Sequence, residues 1–245
     1  MKNSALKFNL TAVIVANLFA NSANALDVKS PYVEKGIMEF EFKNRFDVDS
    51  RASVDRFRQH KFEIGYGITN NWAVEIGGEW EKDGGKGYKH SASEFENIFQ
   101  LTETGEYWLD VGAKLAYEAA HPKGSADKVE VHLLLAKNWS KFSSLVNVGF
   151  DKEIGSNSNQ NPVGVLKFMT KYNYTKMFNP AIEYYGNFGE IAHTTNFDGQ
   201  KHSIGPAIHG KLGQGVKYEF GTIFGVSKAA PDAMIKFNIE YEFPY

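Results

Sequence analysis

From Gly36 to the last residue, apolar and polar side chains alternate with a period of two, the repeat of an extended strand. In the first stretch Met38, Phe40, Phe42 and Phe46 share one parity, and Glu39, Glu41, Lys43 and Arg45 the other. The pattern recurs in Phe62, Ile64 and Tyr66 against Lys61 and Glu63, and in Trp72, Val74, Ile76 and Trp80 against Glu75 and Glu79. Phe95, Phe99 and Leu101 then face away from Glu94, Glu96 and Gln100, and Leu109, Val111, Leu115 and Tyr117 from Asp110, Lys114 and Glu118. Val129, Val131, Leu133 and Leu135 oppose Glu130 and His132; Val146, Val148 and Phe150 oppose Asn147, Asp151 and Glu153; Leu166, Phe168, Tyr172 and Tyr174 oppose Lys167, Lys171 and Asn173. Ile182 and Tyr184 about Glu183 predict a short ninth strand, and 202–212 a tenth, weakened by Pro206, which lacks a ladder donor. Val216, Tyr218, Phe220, Thr222 and Phe224 against Lys217 and Glu219, and Ile235, Phe237, Ile239, Tyr241 and Phe243 against Lys236, Asn238, Glu240 and Glu242, complete about twelve strands with no helix between them.

Alternation alone suits both a soluble sandwich and a membrane barrel, which differ in the face turned outward. Three features favour the barrel. Short turns (69–71, 102–106, 138–141, 175–179, 213–215) alternate with longer polar loops (47–52, 81–87, 120–127, 155–162, 189–201, 227–232), as periplasmic turns alternate with external loops. With an even strand number, both termini then lie on the periplasmic side. Trp72, Trp108 and Trp139 each stand at or beside a short turn, and an indole, apolar with one N–H donor, is most stable where hydrocarbon meets headgroup. The chain ends in an aromatic strand of Phe237, Ile239, Tyr241, Phe243 and Tyr245, with Pro244 before the last residue. A closed barrel pairs every N–H and C=O internally, so the expected fold class is all-β, a transmembrane up-and-down antiparallel β-barrel of about twelve strands.

Composition sets limits on this picture. The 245 residues include no Cys, which excludes disulfides, a thiolate nucleophile and Cys-ligated zinc. A formal net charge of -2 carries no basic excess for neutralising phosphates, so no nucleic-acid partner is expected. At 42% hydrophobic and 23% charged, the chain is too polar for a bundle of membrane helices, but an average over lipid-facing and lumen-facing parities conceals a barrel. Lys2 and Lys7, an apolar run at 8–20 and Ala23-Asn24-Ala25 have the layout of a secretory signal whose run is too short to span as a helix. Residues 1–25 are expected to be a cleaved signal peptide and residues 26–245 a single outer-membrane β-barrel domain, exported through the periplasm.

The terminal strand resembles the carboxy-terminal signal strand of Gram-negative outer-membrane proteins, a likeness that implies recognition by the barrel-assembly machinery. The stretches FENIFQLTE at 95–103, GEYW at 105–108, IEYYG at 182–186 and APD at 230–232 are similar to a small uncharacterised proteobacterial family of outer-membrane barrels. Their layout is similar to that of phenol-degradation-pathway (MetA-type) transporters. The likeness implies a fold and a location, and brings no established substrate or catalytic residue.

If the apolar parity faces lipid, the lumen is lined by Glu39, Glu41, Lys43, Arg45, Lys61, Glu63, Glu75, Glu79, Glu94, Glu96, Asp110, Lys114, Glu118, Glu130, Asp151, Glu153, Lys167, Lys171, Glu183, Lys217, Glu219, Lys236, Glu240 and Glu242. Acids exceed bases about two to one, so a water-filled lumen attracts cations. The alternative is a packed lumen of Lys–Glu and Arg–Glu pairs, with Gly65, Gly77, Gly112, Gly149, Gly205 and Gly221 making room for long neighbours. Catalysis at the outer rim needs a Ser-His-acid set; the candidates are His90 with Ser91 and Ser93, and His193, and none lies in a nucleophile motif. The seven histidines show no HExxH or i, i+2 spacing, so neither metal nor cofactor is expected, and His121, His132 and His209 are read as hydrogen-bonding residues. Arg51, Arg56, Arg58, His60 and Lys61 suit either a solvated strand end or a clamp on lipopolysaccharide phosphate.

The resulting expectation is a non-enzymatic passive channel or facilitator for small solutes, mildly cation-preferring and in contact with outer-membrane lipid and lipopolysaccharide. A plugged structural or lipopolysaccharide-interacting barrel is the alternative, and an outer-membrane hydrolase the less favoured one. Such a barrel fractionates with the outer membrane and runs as a heat-modifiable band in detergent gels; recovery as a soluble periplasmic protein would overturn it.

Overall fold

The computed structural model describes residues 26–85, 87–159 and 161–245; the predicted signal peptide at 1–25 lies outside the described residues. Twelve strands follow one another: β1 (Ile37–Val48), β2 (Arg58–Thr69), β3 (Trp72–Lys82), β4 (Lys89–Gln100), β5 (Asp110–Ala120), β6 (Asp127–Trp139), β7 (Phe142–Ile154), β8 (Val163–Tyr172), β9 (Asn179–Glu190), β10 (Lys201–Lys211), β11 (Val216–Gly225) and β12 (Ala233–Pro244). Each pairs antiparallel with its sequence neighbours, and β1 closes on β12 through twelve residue pairs running from Ile37–Pro244 to Val48–Ala233. At 10 to 13 residues, the strands have the length that a tilted strand needs to cross hydrocarbon. Closure leaves no sheet edge, and therefore no unpaired row of backbone groups.

The faces are inverted relative to a soluble protein. Phe62 and Ile76, in mid-strand, are 52% and 56% exposed, whereas Lys236 and Glu96 are each 1% exposed. An apolar outer belt over a charged interior is the layout of a transmembrane barrel. β10 forms in spite of Pro206, which pairs with Ile182 of β9 and turns outward. On the β11 side the register passes from Ile204–Phe224 to Ala207–Gly221 with no rung at Gly205 or Pro206, so the missing donor is confined to one local opening.

One turn differs from the sequence expectation. The connection between β4 and β5 covers 101–109 and is no tighter than the external loop at 49–57. Asp110 is the cause: its carboxylate accepts the Gly105 N–H at 2.6 Å while Thr102 Oγ1 accepts the Val111 N–H at 2.9 Å, tying a wide turn to the strand start. Of the other connections at this end, 70–71 and 140–141 are the tightest, while 173–178 is as long as the loops at 83–88 and 121–126 at the opposite end.

Across the seam between β1 and β12, the loops at 49–57 and 226–232 are clamped by Arg51. Its guanidinium donates to both oxygens of Asp49 at 2.8 and 2.6 Å and to the carbonyls of Lys228 and Ala230 at 2.9 and 2.7 Å. Asp49 also accepts the Asp232 N–H at 3.2 Å. The Arg51 hydrogen bonds push the Asp49 carboxyl down to about 2. A carboxyl lowered in the folded state contributes stability above its unfolded value, and that contribution is lost as pH falls through the folded value. Arg51→Ala should lower the thermal midpoint at neutral pH, and the gap from the parent should close as pH falls from about 4 to about 2. A gap independent of pH would show that the clamp does not act through Asp49.

Candidate functional site

The inward face of β1 to β6 carries a chain of alternating charge. Lys43 lies 2.5 Å from both Glu41 and Glu63, and Lys61 lies 2.9 Å from Glu63 and also against Glu94. Lys114 follows at 2.8 Å from Glu96 and 2.9 Å from Glu130, and Lys128 at 2.8 Å from both Glu130 and Glu118. Across β9 to β12 a second node forms, with Lys236 at 2.8 Å from Glu183 and 3.0 Å from Glu219, and the His209 ring between the same carboxylates at 2.8 and 3.1 Å. Arg45 pairs with Asp47 at 2.7 Å, His132 with Asp151 at 2.8 Å, Lys217 with Glu240 at 2.8 Å and also with Glu242. Glu79 accepts from Ser91 Oγ at 3.3 Å. Glu39, Lys167 and Lys171 line the interior and make no hydrogen bond or ion pair among the described residues. Such pairing is what a low-dielectric interior demands, since removing one partner of a buried pair leaves an uncompensated charge.

Sequence reasoning passed over Lys128 and Asp47, each on the inward parity but one residue beyond the predicted strand ends. It also missed the main occupant of the lumen. Gly36 has φ +77, a backbone region that favours glycine, and there the chain enters from the periplasmic rim; residues 26–35 run upward inside the barrel. The segment is extended and two-sided. Leu26 packs with Tyr185, Ile223 and Met234, and Val28 packs against that cluster and against Met169, Ala181 and Ala207, which Leu145 also joins, an apolar track on the inner wall of β7 to β12. Asp27 and Lys29 turn to the charged wall, Asp27 at 2.8 Å from Lys43 and Lys29 at 2.5 Å from Glu75. Burying Leu26 stabilises the seat by about 2 kcal/mol.

Side chains replace the ladder in holding this segment. Asn147 accepts the Lys29 N–H at 2.7 Å and donates to the Lys29 carbonyl at 2.8 Å, and Gln100 accepts the Val33 N–H at 2.9 Å. Tyr32 donates to Asp110 at 2.7 Å and accepts from Asn138 at 2.9 Å. Gly112 permits the close approach: a Cβ there would lie 2.7 Å from Pro31 Cβ. Space in the lumen is correspondingly uneven. A cavity of about 760 Å³ lies in the periplasmic half, bordered by the segment and by Glu39, Glu41, Lys171 and Glu240. At the charged chain, the free space falls to about 20 Å³, room for a single water.

The remaining candidates lie elsewhere. Trp72, Trp108 and Trp139 gather at the periplasmic end, with Trp108 75% exposed, while Trp80 is at the opposite end, stacked on His90 at 4.8 Å. In β12, Phe237 and Tyr241 face outward, Ile239 shares their parity, Phe243 stacks on Phe40 at 5.7 Å, and the Tyr245 N–H reaches the Gly36 carbonyl at 2.8 Å. The basic cluster is split: Arg51 serves the loop clamp, Lys61 enters the lumen, His60 contacts Asn44 and Tyr88, and Arg56 and Arg58 are exposed. Ser93 Oγ lies 2.9 Å from His121 Nε2 and 3.5 Å from His90 Nε2, while Ser91 bonds Glu79 and His193 is exposed. The acid nearby in sequence, Asp127, already accepts from Tyr117 and the Ala120 N–H. Glu130, His132 and Asp151, and Glu183, His209 and Glu219, bring their ligand atoms close enough to hold a metal ion, but lysine ammoniums already neutralise both groups.

No sequence-family model matches the chain, and no curated protein matches it. Its likeness to known proteins is one of fold. It is similar to an outer membrane channel from Pseudomonas putida F1, at 12% identity and TM-score 0.64 over 89% of this chain and 99% of that one. It is also similar to the NanC porin, at 8% identity and TM-score 0.57 over 85% and 100%, and to the KdgM porin, at 10% identity and TM-score 0.55 over 84% and 99%. The chain therefore has the fold of outer-membrane porins.

Lys236 is the test of the interior pairing. Lys236→Met leaves Glu183 and Glu219 with only His209 between them, and should destabilise the barrel by roughly 3–5 kcal/mol in denaturant unfolding from micelles. Adding Glu183→Gln should recover part of that loss; a loss unchanged by the second substitution would mean packing, and not charge, is at stake.

Proposed function

We propose that the protein is an outer-membrane channel for small solutes, mildly cation-preferring and held closed by its own amino-terminal segment. The observation that carries the reading is the nature of the obstruction. Residues 26–35 belong to no ladder and hang from Gly36, so their withdrawal breaks side-chain contacts and leaves every strand pair intact. The periplasmic cavity supplies the volume into which such a movement opens. Cation preference is supported by the acidic excess on the inner wall, since charges against a low-dielectric wall focus the field along the lumen.

Other parts of the reading rest on sequence. Cleavage after Ala25 makes Leu26 the first residue of the mature protein, and the terminal aromatic strand suits recognition by the assembly machinery. Arg56, beside Asp55, and Arg58, over the Phe46 ring, are exposed basic groups at the outer rim offered to lipopolysaccharide phosphate. In layout the protein resembles phenol-degradation-pathway (MetA-type) transporters, a likeness that suits the passage of small solutes. The KdgM porin, another neighbour, has been captured with oligogalacturonate, an anionic sugar chain; the acidic wall here suits cations instead.

A structural barrel without transport is the second reading, favoured by the single-water space at the charged chain. Planar-bilayer recording separates the two. The full chain should be nearly silent with rare openings, and a variant lacking 26–35 but keeping its export signal should show steady conductance with a reversal potential displaced toward the cation. A well-folded deletion variant that remains silent would establish the structural barrel.

A further inference from the structure

We propose that Glu41, Glu75 and Glu96 form a binding site for the primary ammonium group of a solute, a site that Lys29 fills while the segment is seated. The inference rests on the reading of residues 26–35 as a removable closure.

The three carboxylates come from β1, β3 and β4, so the wall fixes them independently of the segment. Each turns one oxygen to the Lys29 ammonium: Glu75 Oε2 at 2.5 Å, Glu41 Oε1 at 3.6 Å and Glu96 Oε1 at 3.7 Å. The other oxygens of Glu41 and Glu96 are committed to wall lysines, Lys43 at 2.5 Å and Lys114 at 2.8 Å. Lys29 is the one cation shown with Glu75 among the described residues. When the segment leaves, the wall lysines stay and three inward oxygens lose their shared cation. With the segment seated, Glu75 and Glu96 are 4% and 1% exposed; its departure leaves like charges gathered with their shared cation gone, a cluster that attracts a replacement cation.

The resident group shows what fits. A primary ammonium is compact and carries rotatable donors, so it can bond Glu75 at 2.5 Å while staying at ion-pair distance from Glu41 and Glu96, at 3.6 and 3.7 Å. A quaternary ammonium has the charge without the donors. Glu41, Glu75 and Lys29 border the periplasmic cavity, so the site stands at its inner end, where a solute in the lumen meets it. Lys29 is thus a tethered copy of the ligand. Its main chain is held by Asn147 through N–H and carbonyl alone, so the Lys29 side chain can be removed without unseating the backbone.

Lys29→Ala in the full-length folded barrel creates an ammonium-sized space and provides the test. Its thermal midpoint in micelles should fall below the parent's, and methylammonium chloride should raise it more than equal tetramethylammonium, sodium or calcium chloride. Adding Glu75→Gln should remove the difference. Equal recovery with every salt would reduce the effect to screening, and recovery with calcium above all others would make this a metal site; either result overturns the proposal. If Lys29→Ala fails to fold, the barrel lacking 26–35 serves instead. It should pass methylammonium over tetramethylammonium by a ratio that Glu75→Gln lowers about tenfold, the worth of one charge-assisted hydrogen bond. A silent deletion barrel defeats the channel reading. A conducting one whose selectivity ignores Glu75 defeats the ammonium site and leaves the channel standing.

Discussion

Everything in this molecule follows from the need of each backbone N–H and C=O to find a partner where water is absent. Helices meet that need within one segment; a strand meets it only through neighbours, and twelve strands meet it completely only by closing. Closure then decides where side chains go. The apolar parity is turned to hydrocarbon, and the charged parity is gathered into a space a few side chains wide. There the charges must neutralise one another, which is why Lys43, Lys61, Lys114 and Lys128 alternate with glutamates across β1 to β6.

The amino-terminal segment obeys the same period on a smaller scale. Leu26 and Val28 lie on the apolar track and Asp27 and Lys29 on the charged wall, so a single extended stretch matches two unlike surfaces at once. Nothing in the ladder requires it to be there. Its hold is the sum of the Leu26 and Val28 contacts, hydrogen bonds to Asn147, Gln100, Asp110 and Asn138, and the ion pairs of Asp27 and Lys29, all made through side chains of the wall.

The barrel was legible in the sequence because a period of two, repeated twelve times, survives errors at element ends. Its weakest stretch, around Pro206, still forms a strand, since β9 pairs with it fully and the ladder opens only toward β11. The turn at 101–109 was misjudged because Asp110, read as a strand residue, also ties the turn. For the lumen, the face of each charge could be read from parity, but its partner could not: barrel tilt offsets neighbouring strands, so Lys61 meets Glu94 across an intervening strand. Residues 26–35 left the faintest trace. Ten residues with one turn of alternation carry little periodic signal, and the features that accommodate them, Gly112 and Asn147, lie on distant strands.

The seam between β1 and β12 differs from every other joint in the ladder. The other pairs are closed by connections of ten residues or fewer, whereas the seam joins the two ends of the barrel and closes a loop of roughly two hundred residues. It is fastened beyond both ends of its twelve pairs, by the Tyr245–Gly36 bond at the periplasmic rim and by Arg51 between the outer loops. A seam without these fasteners could fray from either end and unzip. With them, separation at either end has to break a contact outside the sheet before it reaches the first pair of the seam.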